Sequence, residues 1–266
     1  MDSLSQPGNT AADAGGLRLA GALSGLLSAA LGVAGGMLEG ALSGPWPGAA
    51  DPGYPDFLLE NRTLILAQSM LFVFSSAVLL WFLAYVRAHL LRTEKAPGTL
   101  SGLAFAAGVL AAGMNILGQA AQLTLTLPSQ SRIPPEVAAA VADLCLVTLN
   151  LANLPAGVMF LAIAVLSLRL QAFPRWLGWI AAVAALSSFV STLSLIPVEG
   201  PLSPLGPATT ALRLVPLLWY IPAAVVMIRY ETGRRRHRMP PERDSLGSVR
   251  PDAIGPDGLP PESTPA

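Results

Sequence analysis

The sequence predicts an all-α fold: a polytopic bundle of six transmembrane helices followed by a disordered cytoplasmic carboxy-terminal tail. Three observations predict it. Hydrophobic residues make up 53% of the chain and charged residues only 12%, about half the charge of an ordinary soluble domain. The apolar residues fall into six blocks, at 17–38, 63–86, 103–125, 137–168, 176–196 and 208–228, each long enough to cross a bilayer. Basic residues flank alternate loops, the pattern expected of an even number of spans. The chain then divides into a short amino-terminal segment (1–16), a six-helix membrane domain (17–230) and a tail (231–266).

The first block is rich in small residues. Gly21 and Gly25, then Gly32 and Gly36, each form a GxxxG, and Ser24, Ser28, Gly32 and Gly36 make a ladder along one face. Such faces let helix backbones approach closely in lipid. Packing against a neighbour within the bundle is the preferred reading here, and a homodimer face is the alternative. The flank before this block carries Asp2 and Asp13 against Arg18, which lacks the basic start of a cleaved signal peptide. The loop "GPWPGAADPGYPDFLLENR" has too much Pro and Gly for a long helix. Its Trp46, Tyr54 and Phe57 suit the headgroup level, either as an interfacial loop or as a cap over an external ligand site.

Charge orients the bundle. Arg87, Arg92 and Lys95 follow the second block, Arg169 and Arg175 bracket the turn after the fourth, and Arg229, Arg234, Arg235, Arg236 and Arg238 follow the sixth. The opposite loops carry Glu39, Asp51, Asp56 and Glu60 against Arg62, then Glu136 against Arg132, then Glu199. Both termini are therefore expected in the cytoplasm. Lys95 is the one lysine, and Ala, Gly, Leu and Pro dominate, a composition that suggests a GC-rich bacterial genome and hence the bacterial inner membrane. A lone cysteine, Cys145, allows no intramolecular disulfide. The tail has too little apolar surface to fold by itself. The Arg234 to Arg238 cluster should attract anionic lipid headgroups, at about 1 kcal/mol per basic residue. The expected partners are the bilayer itself and a second copy or another membrane protein. Nucleic acid is not expected, because the basic cluster is short and adjoins the membrane.

The fifth block opens with "FPRWLGWIAAVAAL". Pro174 starts the helix, Arg175 holds the cytoplasmic side, and Trp176 and Trp179 belong to the aromatic belt. This stretch, together with "NRTLILAQSMLFVFSSAVLLWFLAYVRAHL", resembles the fifth and second spans of a bacterial six-span membrane family, the domain-of-unknown-function 4386 family. The resemblance runs from about residue 17 to 229, and the long Pro-rich tail departs from it. It implies the six-span architecture and no reaction.

Polar residues interrupt the apolar blocks. At about 1.5 Å per residue, Gln68, Gln119, Asp143 and Arg213 fall in one outer layer. Asn115, Gln119 and Gln122 share one face of the third span. Asp143 and Asn150 are one heptad apart on the fourth, with Asn153 a turn onward. Lone charges in hydrocarbon are costly, so an Asp143–Arg213 ion pair is expected. Asn115 and Asn150 should meet near the midplane, where Ser75 and Ser76 also lie. Pro155 frees the carbonyl of Leu151, which the neighbouring Asn side chains or water would satisfy.

These eight residues (Gln68, Asn115, Gln119, Gln122, Asp143, Asn150, Asn153 and Arg213) form the candidate site. The preferred reading makes them interhelical glue in a non-enzymatic scaffold or interaction protein. The alternative is a transporter or sensor with an outward-facing polar cavity for a small solute. An intramembrane enzyme is the third class. His89 and His237 are the only histidines, both in segments expected in the cytoplasm. No HExxH, GxSxG, phosphate-binding loop or paired-aspartate motif occurs. No catalytic residue, metal or cofactor is therefore expected, haem included.

Overall fold

A computed structural model of the chain describes residues 7–238, apart from positions 45, 49–50, 52, 95–96, 128–133 and 198–199. Lys95, Arg132, Glu199, the Arg234 to Arg238 side chains and the tail beyond 238 lie outside the described residues. The described chain is all helical. Helix α1 spans Pro7–Gly40, α2 Tyr54–Glu60, α3 Arg62–Glu94, α4 Thr99–Leu125 and α5 Pro135–Leu151. Then come α6 (Asn153–Leu170), α7 (Arg175–Leu193), α8 (Pro207–Leu214) and α9 (Leu217–Arg238).

Six stretches are long and apolar enough to cross a membrane: Leu19–Gly40, Arg62–Glu94, Thr99–Leu125, Pro135–Leu170, Arg175–Leu193 and Pro207–Thr232. The chain has the architecture of a multi-pass membrane protein. Large apolar side chains such as Leu27, Trp81, Leu117, Leu144 and Leu218 point outward and stay exposed, as lipid-facing residues must. Trp176 and Trp179 are exposed at the start of α7, and Pro174 precedes that helix in an extended conformation. The short α2 fits the Pro- and Gly-rich loop that carries it.

Two spans are broken. The fourth is α5 and α6, interrupted at Ala152, next to the Leu151 carbonyl that Pro155 frees. Asn153 Nδ2 donates to the carbonyls of Asn150 (3.0 Å) and Leu149 (3.4 Å), and Asn150 Nδ2 donates to that of Leu146 (2.8 Å). The two amides thus serve the carbonyls around the break, though not that of Leu151. The sixth span, read from sequence as a single block, is α8 and α9. Pro216 has no N–H to offer the preceding turn. The backbone tightens there instead, with Val215 N to Leu212 O at 3.3 Å and Trp219 N to Pro216 O at 3.0 Å.

Helix α1 packs on α3, α3 on α4, α4 on both α5 and α6, and α6 on α7. The glycine ladder of α1 divides in two. A Cβ at Gly21 would lie 2.8 Å from Tyr85 and one at Gly25 2.5 Å from Phe82, so these positions seat aromatic rings of α3. Gly36 has open space where its Cβ would be. Two separate apolar cores result. The larger, around Phe82, Phe160, Phe173, Leu177 and Trp219, takes in Ala22 of α1 and Ala223, Ala224 and Met227 from the first half of α9. The smaller, around Tyr54, Leu58, Ile65, Leu125 and Ala142, lies beneath α2.

At Gly25 an added methyl overpacks a fully buried ring, a change that costs about 1–3 kcal/mol. At Gly36 it meets nothing and gains up to about 1 kcal/mol of helix propensity. Gly25→Ala should therefore lower the melting temperature in detergent, and Gly36→Ala should hold or raise it. Equal tolerance at both positions would mean that α1 does not seat on α3 in this register.

Candidate functional site: a polar cavity between two apolar cores

A cavity of about 360 Å³ separates the two cores. It runs from Glu39 to Ser28 on α1, from Gln68 to Leu79 on α3 and from Gln122 to Ala111 on α4, about 16 Å on each helix at 1.5 Å per residue. A single buried water needs roughly 10–15 Å³, and small-molecule sites begin near roughly 300 Å³. A second space of about 200 Å³ adjoins it beneath Trp46 and Tyr54 and shares Glu39, Gln122, Leu149 and Arg213 with it. The loop expected at the interface thus also covers part of a cavity, with the Trp46 and Phe57 rings 5.2 Å apart. Asn61 ties that loop down: it accepts from Ser43 N at 2.9 Å and donates to Ser43 Oγ at 2.8 Å. Arg62 Nε donates to the carbonyl of Thr126 at 2.8 Å and joins the start of α3 to the end of α4.

The floor is aromatic. Tyr220 lines the cavity and meets Phe82, Phe160 and Trp219 edge-on, with centroids 6.4, 5.6 and 5.8 Å away. Behind them, Trp219 packs on Phe173 at 5.8 Å. These rings lie on the side of the cavity towards the end that carries Arg169 and Arg175.

Of the eight candidate residues, Gln68, Asn115, Gln119, Gln122, Asn153 and Arg213 line the larger cavity. Asp143 lines the adjoining space. Asn150 is fully buried behind the wall. The expected Asp143–Arg213 ion pair does not form. Arg213 Nη2 instead donates to Asn150 Oδ1 at 2.8 Å and to the carbonyl of Pro204 at 3.0 Å. Asn150 Oδ1 also accepts from Ser194 Oγ at 3.1 Å, which links α5, α7 and α8. The physical reason is rotation about the helix axis: Asp143 is exposed and turns towards Tyr54. Burial first, then the neighbouring Cys145 and Asp143, pushes the Tyr54 phenol up to about 12. Nor do Asn115 and Asn150 bond each other. Asn115 Nδ2 donates to Ser76 Oγ at 2.7 Å, and the hydroxyls of Ser28 and Ser75 reach the carbonyls opposite at 3.0 and 2.8 Å.

Two lining residues stand apart. Gln68 is 1% exposed and Gln119 4%, yet the amide oxygens of both have no hydrogen-bond partner among the described residues. Arg213 Nε is likewise buried and unpartnered. Sequence reasoning missed Glu39, assigned to a loop. It belongs to the last turn of α1 and lines both spaces. The signal was present: Glu39 follows Gly36 by three residues and so continues the face of Ser28 and Gly32.

Comparison with protein-family models, with curated proteins and with solved structures gives no match for this chain.

The geometry of the site makes Asn150, and not Asp143, the residue on which Arg213 depends. Hydrogen bonds to charged groups contribute about 1.5–3 kcal/mol, while polar contacts between membrane helices average nearer about 0.6 kcal/mol. Asn150→Ala should cost about 1–3 kcal/mol in detergent unfolding and couple strongly to Arg213→Gln in a double-mutant cycle. Asp143→Asn, at an exposed position, should stay within about 0.5 kcal/mol of the parent. The reverse order would restore the ion pair.

Proposed function

We propose that this protein is a membrane receptor or carrier that binds a small polar solute in the cavity between α1, α3, α4 and α8. One observation carries the proposal. Gln68 and Gln119 line a cavity of about 360 Å³ with buried amide oxygens that no described residue satisfies. Buried polar atoms without partners are uncommon and costly, and a polar ligand or water in the cavity would supply what they lack once the two side chains turn to meet it. The glue reading accounts for Asn115 with Ser76 and for Asn150 with Ser194, which bond across helices. It leaves the two glutamines without a purpose.

The aromatic floor supports a site that is open at one end, so binding is the primary event. If solute is carried onward, the breaks at Ala152 and at Val215–Pro216 are the joints that would move. We further propose a bacterial inner-membrane location with both termini cytoplasmic and the cavity facing outward. Arg87, Arg92, Arg169, Arg175 and Arg229 lie at the end opposite α2, which supports this orientation. The resemblance to a six-span family carries no activity, so the proposal rests on the cavity alone.

Cysteine accessibility tests both parts. In a Cys145→Ala background, Gln119→Cys and Asn115→Cys should react with a small, membrane-impermeant thiol reagent applied from outside. Ala162→Cys, 3% exposed in the larger core, should not. Reaction only from the cytoplasmic face would invert the orientation. Silence at both cavity positions, with Asp51→Cys reactive in the loop, would mean a dry core and a scaffold.

A further inference from the structure

We infer that the cavity selects a zwitterion: a small molecule or headgroup carrying one anionic group and one protonated amine. The inference rests on the solute-binding reading above and adds the chemical class of the ligand.

The larger cavity has two charged lining residues, Glu39 and Arg213, of opposite sign. They are close enough to feel each other's field, but no N–O contact within 4.0 Å joins them. Arg213 is not free to swing across. Its Nη2 is held by Asn150 and by the Pro204 carbonyl, on two different segments. Its Nη1 makes no hydrogen bond to a described residue and is not among the fully buried unpartnered atoms, so this nitrogen offers its two N–H groups to the space it lines. Glu39 is exposed and lines both spaces; its backbone carbonyl accepts from Leu42 N at 3.3 Å, while its carboxylate makes no hydrogen bond or ion pair to a described residue. Asp143 faces the smaller adjoining space, where it is exposed.

A fixed cation and an unpaired anion in one cavity discriminate by charge. A simple carboxylate gains Arg213 and is repelled by Glu39. A simple amine gains Glu39 and is repelled by Arg213. A molecule with both groups satisfies both residues and leaves nothing unpaired, so attraction and rejection act together. The amides of Gln68, Gln119 and Gln122 complete the match. Each has a donor end and an acceptor end, which suits the oxygens and the N–H groups of such a ligand alike. Two sources share this chemistry. A free zwitterion enters at Glu39. A zwitterionic lipid headgroup enters sideways past Gly36, Thr210 and Leu214, which line the cavity and are exposed on the bundle surface.

The test uses the full-length protein in phosphatidylglycerol nanodiscs and calorimetric titration. The probes are glycine, β-alanine and γ-aminobutyrate, which set the two charges progressively further apart. Acetate, propionate, butyrate, methylammonium and glycerol are the single-charge and neutral controls. At least one zwitterion should bind about tenfold more tightly than its matching carboxylate and than methylammonium, the weight of one charge-assisted hydrogen bond. Glu39→Gln should lose that advantage and bind the carboxylate as well as or better than the zwitterion. Phosphatidylethanolamine nanodiscs separate the sources. Loss of zwitterion binding there assigns the site to a headgroup, and unchanged binding assigns it to the free molecule. If an acid, an amine or glycerol binds best, and Gly36→Leu abolishes that binding, the solute site stands and the zwitterion is wrong. If no probe binds in phosphatidylglycerol, or if binding of every kind survives Gly36→Leu unchanged, both proposals fall.

Discussion

A guanidinium that cannot lose its proton, held within a membrane span, sets the terms for the rest of the bundle. Arg213 keeps its charge in proteins, so the surrounding helices must supply acceptors. Asn150 Oδ1 and the Pro204 carbonyl do so at 2.8 and 3.0 Å. Both acceptors exist because the neighbouring segments are irregular. Asn150 lies two residues before the break at Ala152, and Pro204 lies in the turn that precedes α8. Ser194, just past α7, fixes the amide from a third direction. A regular sixth span would carry Arg213 on a continuous helix, and the break at Val215–Pro216 lets α8 set its own angle above α9. Irregular backbone at membrane depth is tolerated where it lines a cavity or is buried in protein, and both conditions hold here.

This arrangement splits the interior. The larger core, under the cavity, is built of close aromatic and alanine packing: Phe82, Phe160, Phe173 and Trp219 with Ala181, Ala184, Ala223 and Ala224. The small core beneath α2 clamps the neighbouring ends of α3, α4 and α5. Between them lies the cavity lined by Gln68, Asn115, Gln119, Gln122 and Arg213, where an apolar filling would be the cheaper way to stabilise a bundle. Glycine serves opposite purposes at the two levels of α1. Gly21 and Gly25 remove side chains so that rings can enter. Gly32 and Gly36 remove them so that space remains.

Much of this was legible in the sequence, for physical reasons that differ from residue to residue. Block length and charge bias specify six spans because hydrocarbon thickness leaves few alternatives. The polar layer was legible because uncompensated groups in lipid must turn inward, and six of the eight residues chosen on that ground line the larger cavity. The pairing was not legible. Depth puts Asp143 and Arg213 in one layer, but contact also depends on rotation, and Asp143 faces Tyr54 while Asn150, one heptad on, faces Arg213. Glu39 was hidden by its position at the end of an apolar block, where a turn of helix and a loop read alike. The break at Pro216 was hidden by the strong apolar character around it, although the proline itself was the signal.

The direct measurement is solid-state NMR of the isotopically labelled protein in lipid bilayers, reading guanidinium nitrogen to side-chain carbon contacts and polarisation transfer from water. A cross-peak between Arg213 Nη and Asn150 Cγ, with rapid transfer from water to the side-chain nitrogens of Gln68 and Gln119, is the predicted result. A cross-peak from Arg213 to Asp143 Cγ, with both glutamines dry, would contradict the account.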